Sequence, residues 1–97
     1  MEKIKCWYKH QYKDILIEVR QIGLDKVSLY INDVERDYFH IMSFENELML
    51  KCQLDAKTLI TIIYKPKFLR NTITVFVNRT QIDYVKKVKP LKNSSNS

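Results

Sequence analysis

Residues 30–38 read YINDVERDY and residues 76–84 read FVNRTQIDY, the same phrase twice within 97 residues. Both copies place Asn third and close on Asp-Tyr. Asn is among the residues that tolerate the positive φ of a type I′ turn, so each copy reads as two strands joined by a two-residue hairpin. The turns are Asn32-Asp33 and Asn78-Arg79. On this reading Val77 faces Thr80, Val75 faces Ile82 and Ile73 faces Tyr84, forming one continuous apolar face. Thr74, Phe76, Gln81 and Asp83 occupy the other face. In the earlier hairpin Val27, Leu29, Ile31, Val34 and Tyr38 form the apolar face, and Arg36 stands where the later copy has Ile82.

The repeat extends upstream, where ILIEV at 15–19 resembles LITII at 59–63, with two residues more in the second connection. An internal duplication of a hairpin unit explains this, and two copies would have to complete one core between them. Period-two alternation and β-branched residues recur along the chain, while helical periodicity is nearly absent. The pattern predicts eight strands at about 3–9, 14–21, 26–31, 34–42, 47–54, 58–64, 71–77 and 80–88. Connections this short favour antiparallel neighbours, because parallel crossovers need a dozen residues or more. The expected fold is therefore an all-β meander forming a small sandwich or barrel, its interior filled with side chains.

Residues 1–90 read as one domain of ordinary size, and 91–97, within KPLKNSSNS, as a disordered polar tail. No apolar run has the roughly 20 residues of a membrane helix, and MEKIKCWYKH lacks the apolar core of a secretory signal. The expectation is a cytoplasmic protein with no membrane association. Cys6 and Cys52 then read as reduced thiols. The single Gly23 excludes glycine-rich phosphate loops and the nucleophile elbow.

Charge is unevenly spread. Residues 1–26 carry six basic and four acidic groups, 27–56 two and six, and 57–97 nine and one. The basic third holds YKPKFLRN at 64–71 and VKKVKPLK at 85–92, in which Lys65, Lys67, Arg70, Lys86, Lys87, Lys89 and Lys92 sit near Tyr64 and Phe68. Cations that attract phosphate, interleaved with aromatics that stack on bases, are the chemistry of single-strand binders, and Arg79 would join them. No RRM, KH, cold-shock or zinc-finger signature accompanies them. The plainer alternative is a solvated rim with Tyr64 and Phe68 anchoring a loop.

The remaining polar residues carry less. Cys6, His10, His40 and Cys52 are a legitimate zinc set, with Cys6 and His10 four apart and so on one side of a strand. Their spacing matches no finger or ribbon, and Cys52 alternates with Leu48, Leu50 and Leu54 like core. Asp33, Glu35, Asp37, Glu45 and Glu47 offer carboxylate pairs for hydrolysis, but Glu35 and Asp37 share a face expected to meet solvent. No catalytic residue, metal or cofactor is therefore assigned.

Arg36, Tyr30, Phe76 and Trp7 are the candidates for contact with another protein. Arg36 is either paired with Glu45 or Glu47, extended past the sheet edge, or turned outward by a bulge between Val34 and Tyr38, the placement preferred here. Tyr30 and Phe76 occupy matched outer positions, and Trp7 alternates outward against Ile4, Cys6 and Tyr8. Exposed aromatics favour protein contacts, although a covered outer face would make them second-layer core. The reading is a non-catalytic protein-binding module of adaptor, inhibitor or immunity type, with nucleic-acid binding through the basic third as its rival. Pairing of a sheet edge with a second copy is also open, with Lys3, Lys5, Lys86 and Lys87 placed to discourage it.

Overall fold

The computed structural model describes residues 3–40, 47–65 and 71–88. Eight antiparallel strands run through them, β1 (Ile4–Tyr12), β2 (Ile15–Ile22), β3 (Lys26–Ile31), β4 (Val34–His40), β5 (Leu48–Asp55), β6 (Thr58–Lys65), β7 (Thr72–Val77) and β8 (Thr80–Val85). They form two four-stranded sheets in chain order, β1-β2-β3-β4 and β5-β6-β7-β8. The all-β fold and all eight predicted strands are present. Residues 41–46, 66–70 and 89–97, and with them the expected tail, Glu45, Phe68, Lys67, Arg70, Lys89 and Lys92, lie outside the described residues.

Alternation gives each sheet one apolar face, and the two faces share a single core. Ile17, Val19, Val27, Leu29 and Ile31 come from the first sheet and Leu50, Cys52, Ile60, Ile62, Ile73 and Val75 from the second, all buried. Complete burial of one such Ile or Leu stabilises the fold by about 1.5–3 kcal/mol. Cys52 is core, and both thiols are free.

The two sheets repeat each other bond for bond at their hairpin ends. Asn32 Oδ1 accepts the Leu16 backbone N–H at 2.8 Å, and Asn78 Oδ1 accepts that of Leu59 at 2.9 Å. The Asn32 N–H donates to the Leu16 carbonyl at 2.9 Å and the Asn78 N–H to the Leu59 carbonyl at 2.7 Å. Each Asn thus ties its own turn to the strand on the far side, a task that needs its amide as well as its tolerance of positive φ. Asn32 and Asp33 take φ of 50° and 70°, whereas in the second turn Asn78 alone does so, at 59°. The matching of Leu16 with Leu59 corrects the alignment of 15–19 on 59–63 by one residue. The second connection is three residues longer rather than two, with 23–25 between β2 and β3 and 66–71 between β6 and β7.

A bulge at the same place in each hairpin resets the expected register. Leu29 pairs with Asp37 and Tyr30 with Glu35, leaving Arg36 as the extra residue, and Val75 pairs with Asp83 and Phe76 with Gln81, leaving Ile82. Val77 does face Thr80, but Ile73 faces Val85 and not Tyr84. Every side chain past the bulge changes face. Tyr38 and Tyr84 therefore turn outward, 51% and 46% exposed, and Val34 at its hairpin tip is 54% exposed instead of buried. The same shift takes Asp37 and Asp83 off the outer face.

Those two aspartates explain the second half of the repeated phrase. In each, Oδ1 accepts the N–H of the following Tyr at 2.9 Å. Oδ2 reaches the opposite sheet: Asp37 accepts the Lys51 backbone N–H at 2.9 Å, and Asp83 accepts the Tyr8 hydroxyl at 2.7 Å. The last strand of each sheet is thereby tied to the first strand of the other, β4 to β5 and β8 to β1. All four are edge strands.

Candidate functional site: the outer faces of the two sheets

Because the registers match, each outward residue of the first sheet has a counterpart in the second. The first sheet sets Glu18 opposite Tyr30, Arg20 opposite Ser28 and Ile22 opposite Lys26; the second sets Thr61 opposite Phe76, Ile63 opposite Thr74 and Lys65 opposite Thr72. Glu35 corresponds to Gln81. The aromatic positions persist while the acid and cation partners do not.

On the first sheet these side chains satisfy one another. Arg20 donates to Glu18 Oε1 at 2.6 Å and to Asp33 Oδ1 at 2.7 Å, with its guanidinium 4.0 Å from the centre of the Tyr30 ring. The Ser28 hydroxyl donates to Glu35 Oε2 at 2.6 Å, and the Lys26 ammonium stands 3.0 Å from the same oxygen and 4.6 Å from the Tyr38 ring centre. The Ser28 hydroxyl, followed by Lys26, holds the Glu35 carboxyl below the usual range. Glu18 and Ser28 are only 6% and 0% exposed although they face outward, because their neighbours lie across them. A substrate has no route to the Ser28 oxygen. Burial, with the Glu18 carboxylate beside it, pushes the Cys6 thiol up, which disfavours the nucleophilic thiolate.

On the second sheet the positions of Glu18, Arg20, Lys26, Ser28, Tyr30 and Glu35 are apolar or neutral, while that of Asp33 holds Arg79. Met49, Ile63, Thr74 and Tyr84 form one row across the four strands, and Lys51, Thr61, Phe76 and Gln81 form the next. Met49 is 38% exposed, while Ile63, Phe76 and Leu59 are half-buried. Lys51 faces Thr61, where its counterpart Lys9 faces Glu18. Lys65 is 3.3 Å from Glu47, and Lys86 and Lys87 continue exposed beyond β8. Asp83 is turned away toward Tyr8, so Glu47 is the acid that remains beside this face among the described residues.

The predicted binding residues are thus separated. Tyr30 lies under Arg20 on the first face and Phe76 on the second, on opposite sides of the sandwich. Arg36 is an exposed bulge residue on β4, as preferred from the sequence. Trp7 is itself the extra residue of a bulge between Cys6 and Tyr8, packs against the core and donates its indole N–H to Gln21 at 3.0 Å. That bulge also puts Cys6 beside Arg20 and His10 opposite Ile17, so the two do not share a side as four-residue spacing implied. His10 stacks on Tyr8 with Nδ1 3.6 Å from Asp83, and His40 lies 3.7 Å from Asp25. Glu35 and Asp37, expected on one exposed face, are divided by the Arg36 bulge.

The basic set is dispersed too. Lys65, Lys86 and Lys87 gather at the end of the second sheet where Val88 N–H bonds the Asn71 carbonyl at 2.9 Å. Arg79 is at the other end, in the β7–β8 turn. Tyr64 is core, 7% exposed, and burial raises its hydroxyl pKa. Met49, Ile63, Lys51 and Tyr84 were missed as a group, since only the bulge-corrected register places Tyr84 among them.

Among the described residues no helix is long and apolar enough to cross a membrane, and no cluster of three or more His, Cys, Asp or Glu could hold a metal ion. Comparison of the chain with protein-family models, curated proteins and solved structures returns no match.

Proposed function

We propose that this protein is a non-catalytic binding module that holds another protein against the outer face of its second sheet. The observation that supports the reading is the contrast of the faces. One frame carries a side whose polar groups are mutually bonded and a side where the positions of Cys6, Arg20 and Tyr30 present Met49, Ile63 and Phe76 to solvent or half to it, beside a Tyr84 exposed like its counterpart Tyr38. Partly exposed aromatic and methionine side chains amid few charges are the composition of interface centres. Tyr30, by contrast, is already engaged by Arg20, and Trp7 by the core and Gln21.

The nucleic-acid reading loses two supports, because Tyr64 is buried and Arg79 is remote from the lysines, and the aliphatic Met49 and Ile63 offer bases no stacking surface. In-cell photocrosslinking compares the faces directly. A benzophenone amino acid replacing Phe76 is expected to give a nuclease-resistant protein adduct, and one replacing Tyr30 to give none. A nuclease-sensitive adduct at position 76 would replace the protein partner with nucleic acid, and adducts at position 30 alone would refute the choice of face.

A further inference from the structure

Resting on that docking face, we infer that the protein partner it accepts is acidic, an apolar patch bordered by carboxylates. Charge complementarity points to it. When the frame is compared position by position, the second face has lost the acids of the first, Glu18 to Thr61 and Glu35 to Gln81, along with their partners Arg20 and Lys26, yet keeps the cation equivalent to Lys9 as Lys51. It gains another, Lys65, where the first sheet has Ile22, and Glu47 at 3.3 Å pairs with that one. Lys86 and Lys87 add two exposed ammonium groups just past Tyr84.

The one acid between strands that the sequence pattern had assigned to this side, Asp83, is consumed by the Tyr8 hydroxyl and the β8–β1 seam. The face is therefore cationic at its margins and apolar through Met49, Ile63, Phe76 and Tyr84. A partner of the same composition would set ammonium against ammonium, so a second copy of this face is disfavoured. Carboxylates at the rim would steer encounter and fix orientation, while the apolar centre would supply affinity.

Random copolymers provide a partner surrogate of known chemistry. Fluorescently labelled poly(Glu,Tyr), poly(Glu), poly(Lys,Tyr) and oligo(dT) are titrated with the full chain by anisotropy at low and high salt. The expected result is binding of poly(Glu,Tyr) that exceeds binding of poly(Glu), weakens at least tenfold from low to high salt, and is lost in Lys51→Glu/Lys65→Glu with the fold intact by circular dichroism. Loss in Phe76→Ser/Tyr84→Ser as well would place the contact on the second face. Binding of poly(Lys,Tyr) in a manner sensitive to Phe76→Ser/Tyr84→Ser would keep the docking face and overturn its acidic preference. Stronger binding of oligo(dT) than of poly(Glu,Tyr) would assign the cations to nucleic acid, and no binding that depends on these side chains would overturn both the face and its preference.

Discussion

The two halves of this chain share a backbone and differ in what they do with their outer surfaces. Each is a four-stranded meander with an Asn amide tying its turn, a bulge four residues after that Asn, and an Asp that reaches the opposite sheet. On this common frame Glu18, Arg20 and Ser28 become Thr61, Ile63 and Thr74. The first set buries a carboxylate and a hydroxyl under a guanidinium, leaving Tyr38 and Ile4 exposed beside it. The second leaves apolar and cationic groups facing water. A repeat can thus conserve the interactions that close a core while the solvent side is free to specialise, because strand periodicity separates the two sets of positions.

The shared frame is tested most severely in the core. Ile17→Ala and Ile60→Ala remove equivalent side chains, both wholly buried, and each should cost about 2–5 kcal/mol in urea unfolding. Costs that agree between the halves would uphold the equivalence, and a negligible cost in one would break it.

The seams come next. Asp83→Ala leaves the buried Tyr8 hydroxyl without its acceptor and should cost about 1–3 kcal/mol, whereas Asp37→Ala frees an exposed backbone N–H that water can satisfy and should cost less. A cycle with Tyr8→Phe isolates the pair, and independent effects of Tyr8→Phe and Asp83→Ala would mean that the two do not clamp the sheets together. The Tyr8 hydroxyl is raised well above its ordinary value, first by burial and then by Asp83, and Tyr64 is raised by burial. For a group raised on folding, the stabilisation is complete below the unfolded pKa and lost as pH climbs through the folded one. Stability should thus fall above about pH 10, with tyrosinate absorbance from these two rings appearing only as the chain unfolds.

A smaller difference separates the outer faces. Glu18→Ala strips a buried carboxylate from Arg20 and should cost about 1–3 kcal/mol, while Thr61→Ala at the matching position should stay within about 0.5 kcal/mol. Equal costs would contradict the description of one face as closed and the other as open. Acid gives the weakest signal. Glu35 is lowered by Ser28 and Lys26, so its contribution is present above the ordinary carboxylate range and disappears as pH falls through its depressed folded value. Glu35→Gln should flatten the acid limb of a midpoint-against-pH curve, and an unchanged limb would remove this bond from the balance.

Strands and turns were legible because alternation and the two Asn-centred phrases mark them locally. The bulge at Arg36 was legible as a lone charge on an apolar face, but its effect on Tyr38 was not, and those at Ile82 and Trp7 were missed. None of the three carries a glycine to signal an extra residue, and each resets the alternation of the residues after it. That single error put Tyr84 inside and Asp83 outside, and so concealed both the seam and the row that Tyr84 completes with Met49 and Ile63. Phe76 was found from its place before the turn, where the count had not yet slipped. Which edge meets which depends on register between distant strands, and no local pattern encodes it.

The contrast between the faces can be read most directly from a two-dimensional amide spectrum of the chain titrated with 1-anilinonaphthalene-8-sulfonate, an apolar ring system with one negative charge. Shifts should concentrate at Thr61, Ile63, Thr74, Phe76 and Tyr84, with Glu18, Arg20, Ser28 and Tyr30 unmoved. Shifts concentrated on the first set of strands, or spread equally over both sheets, would contradict a closed first face and an open second one.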